Sequence, residues 1–331
     1  MKIDTTIMGS MLDDGSRARV AEELGFDGVW VAETGHDPML AMGAAASRTS
    51  RVSLGTNILV AFARSPMTVA MTANDLHLMS EGRFILGLGS QIKPHIVRRF
   101  NMPWSAPAAR MKEYVGALRA IWRSWHDGEP LKYEGEFYQF TLMTPMFSPG
   151  ANRWGPPPIY LAGVGERMVA ASAEVADGLL IHPFTTERYL KDVIVPALTA
   201  VRPDLDGFVI SGMPIVVTGR DEAALAAAAD AARMQIAFYA STPAYKPILD
   251  VHGWGELYDE MHDLSLKGEW AAMGKRVDDE VLRTIAIVAE PDHIAAELEK
   301  RFGGVMSRCA LSTREGVDPA VWEPVLRAVS R

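Results

Sequence analysis

Four short stretches of the chain carry side chains whose types and spacing could do chemistry, and each follows an apolar run. The first is Glu33-Thr34-Gly35-His36-Asp37. Two carboxylates and an imidazole this close together could exchange a proton if burial and mutual contact shifted their pKa values. Asp37 also stands directly before Pro38, the signal of a helix N-cap, so for Asp37 capping and catalysis both stand. His36 and Glu33 have no comparably simple structural role. The second stretch is Leu86-Gly87-Leu88-Gly89-Ser90-Gln91-Ile92-Lys93-Pro94-His95. Its glycines would let a flat ligand approach the backbone, while Ser90, Gln91, Lys93 and His95 could hydrogen-bond a polar heterocycle or a phosphate. Close strand packing explains the two glycines almost as well, but not the polar and basic group behind them. The third, Ala162-Gly163-Val164-Gly165-Glu166-Arg167, runs straight into a helix from Met168 to Ala176. Exposed N–H groups at a glycine-lined helix start suit a phosphate, although many tight turns of this kind hold no ligand. In the fourth, His182-Pro183-Phe184, the aromatic could pack near a ring system or seal the core.

Such groups act together only if the elements before them end on one side of the molecule. Short β-type runs alternate with helical segments along the chain, which favours a parallel sheet with crossover helices. The expected strands are Ile3 to Met8, Gly28 to Glu33, Val52 to Val60, Arg83 to Gly89, Pro158 to Gly163, Gly178 to His182, Phe208 to Ile210 running on through Val216-Val217, and Ser307 to Ser312. Thr284 to Val288 reads as a short extended segment before a helix from Pro291 to Phe302. Helices are expected from Ser16 to Leu24, Pro38 to Thr49, Pro66 to Met79 and Ala108 to Trp125. Eight such units with both faces covered describe a closed (β/α)8 barrel in one domain over residues 1–331 better than an open sheet. In a barrel, catalytic groups sit at strand C-termini, where all four stretches fall. The first strand-to-helix turn, Met8-Gly9-Ser10-Met11-Leu12-Asp13, lacks the Gly-x-Gly-x-x-Gly of a dinucleotide site. Residues 127–158, rich in Gly, Pro and aromatics, read as an insertion over the barrel mouth, and 221–279 as a mostly helical insertion.

Composition narrows the partners. The chain has 331 residues, 48% of them hydrophobic and 22% charged, as a soluble globular protein with a filled core requires. A formal charge of −8 opposes attraction to nucleic acid or an anionic membrane and points to a small-molecule substrate. No apolar run is long enough to span a bilayer, no signal-peptide core follows Met1, and the lone Cys309 lies in an apolar run where a buried thiol is expected. A cytoplasmic protein is expected, and no metal site.

Read in order, these stretches resemble the luciferase-like monooxygenase superfamily, and within it the coenzyme F420-dependent oxidoreductases. The resemblance rests on Gly25-Phe26-Asp27-Gly28-Val29-Trp30-Val31-Ala32-Glu33, on Leu54-Gly55-Thr56-Asn57-Ile58 with Arg64-Ser65-Pro66, and on Glu81-Gly82-Arg83-Phe84-Ile85-Leu86-Gly87-Leu88-Gly89-Ser90. Pro157-Pro158-Ile159-Tyr160-Leu161-Ala162 and Ala176-Asp177-Gly178-Leu179 complete it. It implies a TIM barrel of the bacterial luciferase-like type, with insertions at the C-terminal mouth. It also implies a non-prolyl cis peptide at Asn57-Ile58 backing the central ring of the cofactor, where the residue pattern alone shows only a strand, a turn and a Pro-started helix. The ring would lie over the mouth with Ser90, Gln91 and His95 near its edge and with Lys93 among the cofactor-binding candidates. The backbone of Ala162, Gly163, Val164 and Gly165 would take its phosphate, with His182 and Pro183 completing the site. The implied function is hydride transfer between coenzyme F420 and a small organic substrate, in a homodimer. Related deazaflavin dehydrogenases often carry an Asp-His pair where this chain has Glu33 and Thr34, and some carry a glutamate where it has Ile92. The proton-handling group therefore does not transfer, and His36, Glu33 and His95 are the local candidates. An FMN-dependent monooxygenase and a non-enzymatic flavin-binding protein are the alternatives on the same fold. The deazaflavin has an anionic oligoglutamate tail that FMN lacks, for which Lys93, Arg98, Arg99 and Arg110 are candidate partners, unless Arg98 and Arg99 merely face solvent.

Overall fold

Parallel strands buried on both faces read as unbroken apolar runs, as Phe84–Gly89 does here, whereas Lys2–Thr6 and Arg308–Ser312 also carry polar and charged side chains into the barrel. The computed structural model describes residues 1–7, 15–312 and 319–329. The turn Met8 to Asp13 lies outside them. The strands are β1 (Lys2–Thr6), β2 (Gly28–Val31), β3 (Ser53–Thr56), β4 (Phe84–Gly89), β5 (Ile159–Ala162), β6 (Gly178–Leu180), β7 (Val209–Gly212) and β8 (Arg308–Ser312). Each pairs in parallel with its successor; β8 pairs with β1, and Leu54 and Gly55 of β3 face Phe84 and Ile85 of β4. The ring of strands is thus closed: a (β/α)8 barrel. The first helices of the outer ring are α1 (Ser16–Leu24), α2 (Pro38–Arg48), α3 (Pro66–Met79), α4 (Pro107–His126) and α5 (Glu166–Val175). Asp37 and Ser65 cap α2 and α3 by accepting the Met39 and Met67 N–H groups, each ahead of a proline in the first turn.

The barrel interior is a packed plug. Trp30, Ile85, Tyr160, Leu180 and Ala310 form one buried cluster, with Ile58, Ala162 and Met213 packed against it. Large side chains face small ones: a Cβ on Gly55 would lie 2.3 Å from the Trp30 ring, and one on Gly178 would lie 2.8 Å from Tyr160. Asp4 receives two bonds from Arg308, at 2.7 and 2.8 Å, and one from the Trp30 indole at 2.8 Å. This fully buried pair fixes β1, β2 and β8 against one another; a Gly28 Cβ would strike both members. Cys309 is fully buried, and burial pushes its thiol pKa well up, as expected of a core residue.

Several elements depart from the expected pattern. The third run breaks after Thr56 and resumes as Leu59–Val60, which pairs with Leu88 and Gly89 of β4. The seventh stops at Gly212, and Val216–Val217 instead pairs in parallel with Ile287–Val288 outside the barrel. Thr284 and Ile285, read as extended, close a helix Asp279–Ile285 that the Asp278 carboxylate caps by accepting the Val281 N–H. The small sheet therefore clasps both ends of the helical excursion between β7 and β8. Residues 127–158 follow α4 rather than a strand. Their hairpin, Tyr133–Glu134 with Gln139–Phe140, packs along α4, with the Tyr133 hydroxyl on the Glu113 carbonyl and the Arg110 guanidinium on the Tyr138 hydroxyl. Trp154 then covers Gly82 near the opposite end of the barrel. No residue of this segment lines the cavity at the mouth, to which the helical excursion contributes Tyr239, Ala244 and Tyr245.

Candidate active site

The break after β3 builds one wall of the site. The Asn57-Ile58 peptide is cis. Asn57 N–H donates to the Val31 carbonyl, and the Ile58 carbonyl accepts from Glu33 N–H, so β2 holds both residues while the sheet ladder is interrupted. On the other side the Thr56 hydroxyl donates to the Gly87 carbonyl at 2.8 Å and accepts from its N–H at 3.0 Å. The Glu33 carboxylate accepts the Val60 N–H at 2.7 Å and the Arg64 guanidinium at 2.7 and 2.9 Å. Arg64 also donates to Asp37 at 2.9 Å, and these two carboxylates raise the pKa of its guanidinium against the opposing effect of burial. Glu33, with a side chain only 6% exposed, is thus committed to bracing the wall. Asp37 is committed to its cap and to Arg64.

The glycines of the β4 stretch serve packing. A Cβ on Gly87 would lie 1.8 Å from the Thr56 carbonyl, and one on Gly89 would lie 2.8 Å from Ile58. After Gly89 the chain turns at once, with Gln91 at a φ of 59° and its side-chain oxygen accepting the Ile92 N–H at 3.0 Å. Ser90 and Gln91 thereby line a cavity of about 430 Å³, to which the strand ends and the turns after them also contribute Asn57, Ile58, Gly89, Ala162, Gly163, Val164 and Leu180. Gly165, just outside, is the N-cap of α5; it offers no side chain to the first-turn N–H groups, and nothing lies within 4 Å of where its Cβ would be. That end is open to an anion, with Glu166 the one acidic residue in the first turn.

The opposite wall carries residues that the sequence did not single out. Met213, Tyr239, Ala244 and Tyr245 line the cavity beside His182 and Pro183. The His182 ring stacks on Tyr245 with centroids 4.2 Å apart and meets Tyr239 edge-on at 4.6 Å. Phe184 N–H donates to His182 Nδ1 at 3.2 Å, so in the neutral ring the proton sits on Nε2. Burial pulls the pKa of His182 down to about 4, and pushes that of Tyr245 up to about 12. The only sequence signal for this wall is the aromatic run from Phe238 to Tyr245 after an Ala-rich helix.

Nine of the proposed cofactor residues meet in the cavity: Asn57, Ile58, Ser90, Gln91, Ala162, Gly163, Val164, His182 and Pro183. Lys93, Gly165, His36 and His95 are exposed and do not line it. His95 opens a π-helical turn, His95–Arg99, whose Arg99 donates to the Thr34 carbonyl and so ties the β4 stretch to the β2 stretch. Arg110 is buried, bonded to the Pro103 carbonyl and the Tyr138 hydroxyl and stacked over Phe62, so it is removed from the candidate tail partners. No grouping of metal-ligating side chains occurs among the described residues.

Residues 14–307 match the family model described as luciferase-like monooxygenase. The chain is 51% identical over 312 residues, 93% of its length and 92% of the relative's, to an uncharacterized protein of Mycobacterium tuberculosis. It is 29% identical over 85% of its length, and 83% of the relative's, to a 5,10-methylenetetrahydromethanopterin reductase of Archaeoglobus fulgidus. Its fold superposes with a TM-score of 0.78, at 21% identity and over 100% and 98% of the two chains, on the coenzyme F420-dependent tetrahydromethanopterin reductase of Methanopyrus kandleri. With the family model spanning most of a closed barrel whose mouth is built around the Asn57-Ile58 break, the chain belongs to the luciferase-like monooxygenase family.

Proposed function

We propose that the protein is a coenzyme F420-dependent oxidoreductase that transfers a hydride between the deazaflavin and a small organic substrate. The observation that carries this reading is the cavity between the β3 break and the β5–α5 turn. It is lined by neutral side chains and by the turn that leads into α5, whose N-cap Gly165 supplies no side-chain cap. A tricyclic ring would rest on Asn57 and Ile58, Ser90 and Gln91 would bond its polar edge, and the phosphate would meet the amides from Gly163 to Glu166. When bound, the deazaflavin supplies or accepts the hydride; the protein holds it against the substrate and excludes water.

The proton must come from elsewhere. Because the Glu33 oxygens are taken by Val60 and Arg64, we assign proton transfer to His36, and we place His95 at the cofactor edge. His36→Ala should lower turnover by roughly 100-fold with cofactor affinity nearly intact, while His95→Ala should weaken cofactor binding. Parent-like turnover in both variants would move proton transfer off this loop pair. The reading as a whole is tested by titrating the cofactor-free protein with deazaflavin and with FMN, following fluorescence, and then screening carbonyl, imine and enone compounds for cofactor turnover. The family's description as monooxygenases keeps FMN as the second reading, and tighter FMN binding without deazaflavin turnover would favour it. We take the assembly to be a homodimer, for which the exposed Leu40 of α2 and Met71 and Leu78 of α3 offer apolar contact; light scattering in solution checks this.

A further inference from the structure

Every side chain lining the cavity is uncharged among the described residues, and the wall facing the β3 break is aromatic. A carboxylate or phosphate brought against this aromatic wall, away from the α5 amides proposed for the cofactor phosphate, would lose its hydration with no cation to replace it, a cost of several kcal/mol. A flat neutral compound would instead meet Tyr239, Tyr245 and Met213 and lose nothing comparable. Two polar atoms on this wall have no protein partner among the described residues, the Tyr245 hydroxyl, which is free to rotate, and one nitrogen of His182, whose direction the ring contacts fix. His182 Nδ1 is occupied by Phe184 N–H, the ring is held on two sides by Tyr245 and Tyr239, and Nε2 has no protein partner among the described residues. It is also absent from the buried, unpartnered polar atoms, so it reaches open space.

Resting on the oxidoreductase reading above, we propose that the substrate is an uncharged, planar carbonyl compound or its alcohol or enone counterpart, whose oxygen accepts a hydrogen bond from His182 Nε2. His182 is then a substrate-binding residue and no longer one of the cofactor residues that the family resemblance implied, and the aromatic pair is its frame. Because burial keeps the ring neutral down to about pH 4, it donates a hydrogen bond at every physiological pH without serving as the proton source, and that task stays with a separate group. The selectivity of the site comes from the helical excursion, since Tyr239, Ala244 and Tyr245 all lie on it.

The test uses the full chain loaded with deazaflavin, and pairs a neutral aryl ketone or cyclic enone with the same compound bearing a carboxylate. His182→Phe, which keeps the ring stack, should lower kcat/KM for the neutral compound by roughly tenfold, and His182→Gln, which keeps a donor, should recover part of the loss. The dissociation constant of the deazaflavin, read by fluorescence, should change less than about twofold in both. In ring ¹⁵N spectra the Nε2–H signal of His182 should move when the neutral compound is added. A preference for the carboxylate compound, failure of the neutral one to bind, or a tenfold loss of cofactor affinity in His182→Phe would overturn the proposal. Absence of deazaflavin binding in the parent protein would instead overturn the cofactor reading, and the two failures are distinguishable.

Discussion

The ends of β2 and β6 open onto the same mouth, but they handle ionisable side chains in opposite ways. After β2 the chain places Glu33, Asp37 and, from across the break, Arg64 within bonding distance, and all three are consumed by one another and by the backbone they hold. After β6 there is one imidazole, His182, between two tyrosines, with no charged side chain in the cavity lining and a free nitrogen. A density of charge at a strand end is therefore poor evidence of catalysis: charges that satisfy each other brace the backbone. An isolated polar atom in an apolar wall has nothing else to bind, which makes it the stronger ligand candidate.

Breaking the brace should give the largest effect. Glu33→Gln leaves the Arg64 guanidinium, about one-fifth exposed, with a weakened partner and disturbs the Val60 amide contact. Loss of a partly buried pair of this kind should cost about 3 kcal/mol in chemical denaturation, and should weaken cofactor binding because Ile58 and Val60 are no longer held. If the variant is as stable as the parent, the brace does not carry the load assigned to it here.

The β6 side should show itself through pH. The folded-state pKa of His182, about 4, lies below the 6.5 of an unfolded histidine, so the folded state takes up the proton less readily. The stability that this ring contributes is therefore present above pH 6.5 and is lost as pH falls from there towards 4. Between pH 7 and pH 5 the loss from this group should be about 2 kcal/mol. His77, His126 and His252 are shifted down by burial too and add with the same sign, so the readout is the difference between parent and His182→Phe, which should lose less on acidification. Equal losses in the two proteins would place His182 in water and undo the comparison. A smaller change is expected from Tyr245→Ala. Removing the stacked ring should admit water, raise the histidine pKa towards 6.5 in an NMR titration, and weaken binding of a neutral aromatic ligand by roughly fivefold.

The same contrast explains what was legible in the sequence. Strands that are continuous apolar runs, such as Phe84–Gly89, could be read directly, because burial on both faces leaves a one-dimensional trace. The family resemblance located the Asn57-Ile58 break, which residue pattern alone reads as an ordinary strand and turn. The brace was half visible: Glu33 and Asp37 stand together, but Arg64 reaches them across the β3 break, and only folding shows that the carboxylates are spent. Tyr239 and Tyr245 leave only the faint trace of an aromatic run after an Ala-rich helix. Tyr239 lies in the Ala-rich, weakly patterned helix Glu222–Ala240 and Tyr245 in the short 3-10 turn Pro243–Tyr245 after it, and the excursion is placed by a clasp of two-residue strands, Val216–Val217 and Ile287–Val288, too short to signal themselves. Thr284 and Ile285 were misread because β-branched residues here end a helix whose start is set by the Asp278 cap.

The smallest expected effect lies between the two regions, on the turn after β4, and it separates the two cofactors. Deazaflavin and FMN share a ring, a ribityl chain and a phosphate, so neither the β3 break nor the α5 start distinguishes them; the oligoglutamate tail does. Of the four cations suggested by the sequence, Arg110 is buried in its own bonds and Arg99 is tied to Thr34 and lies over the Phe100 ring. Lys93 and Arg98 remain exposed and without a bonded partner among the described residues, on a protein whose formal charge is −8. Exposed ion pairs contribute only about 0.2–1 kcal/mol each, so Arg98→Ala should weaken binding of long-tailed deazaflavin by roughly two- to threefold. The loss should shrink as ionic strength rises, since exposed charges are screened over about 10 Å at 0.1 M salt. FMN, which has no tail, should bind the parent and Arg98→Ala equally at every salt concentration. The decisive comparison is equilibrium binding of FMN and of deazaflavin with short and long tails, at low and high salt, to both proteins. A tail-length effect that salt removes and Arg98→Ala diminishes supports the deazaflavin; equal affinity for all tail lengths would leave Lys93 and Arg98 as solvated surface and remove the charge argument for that cofactor.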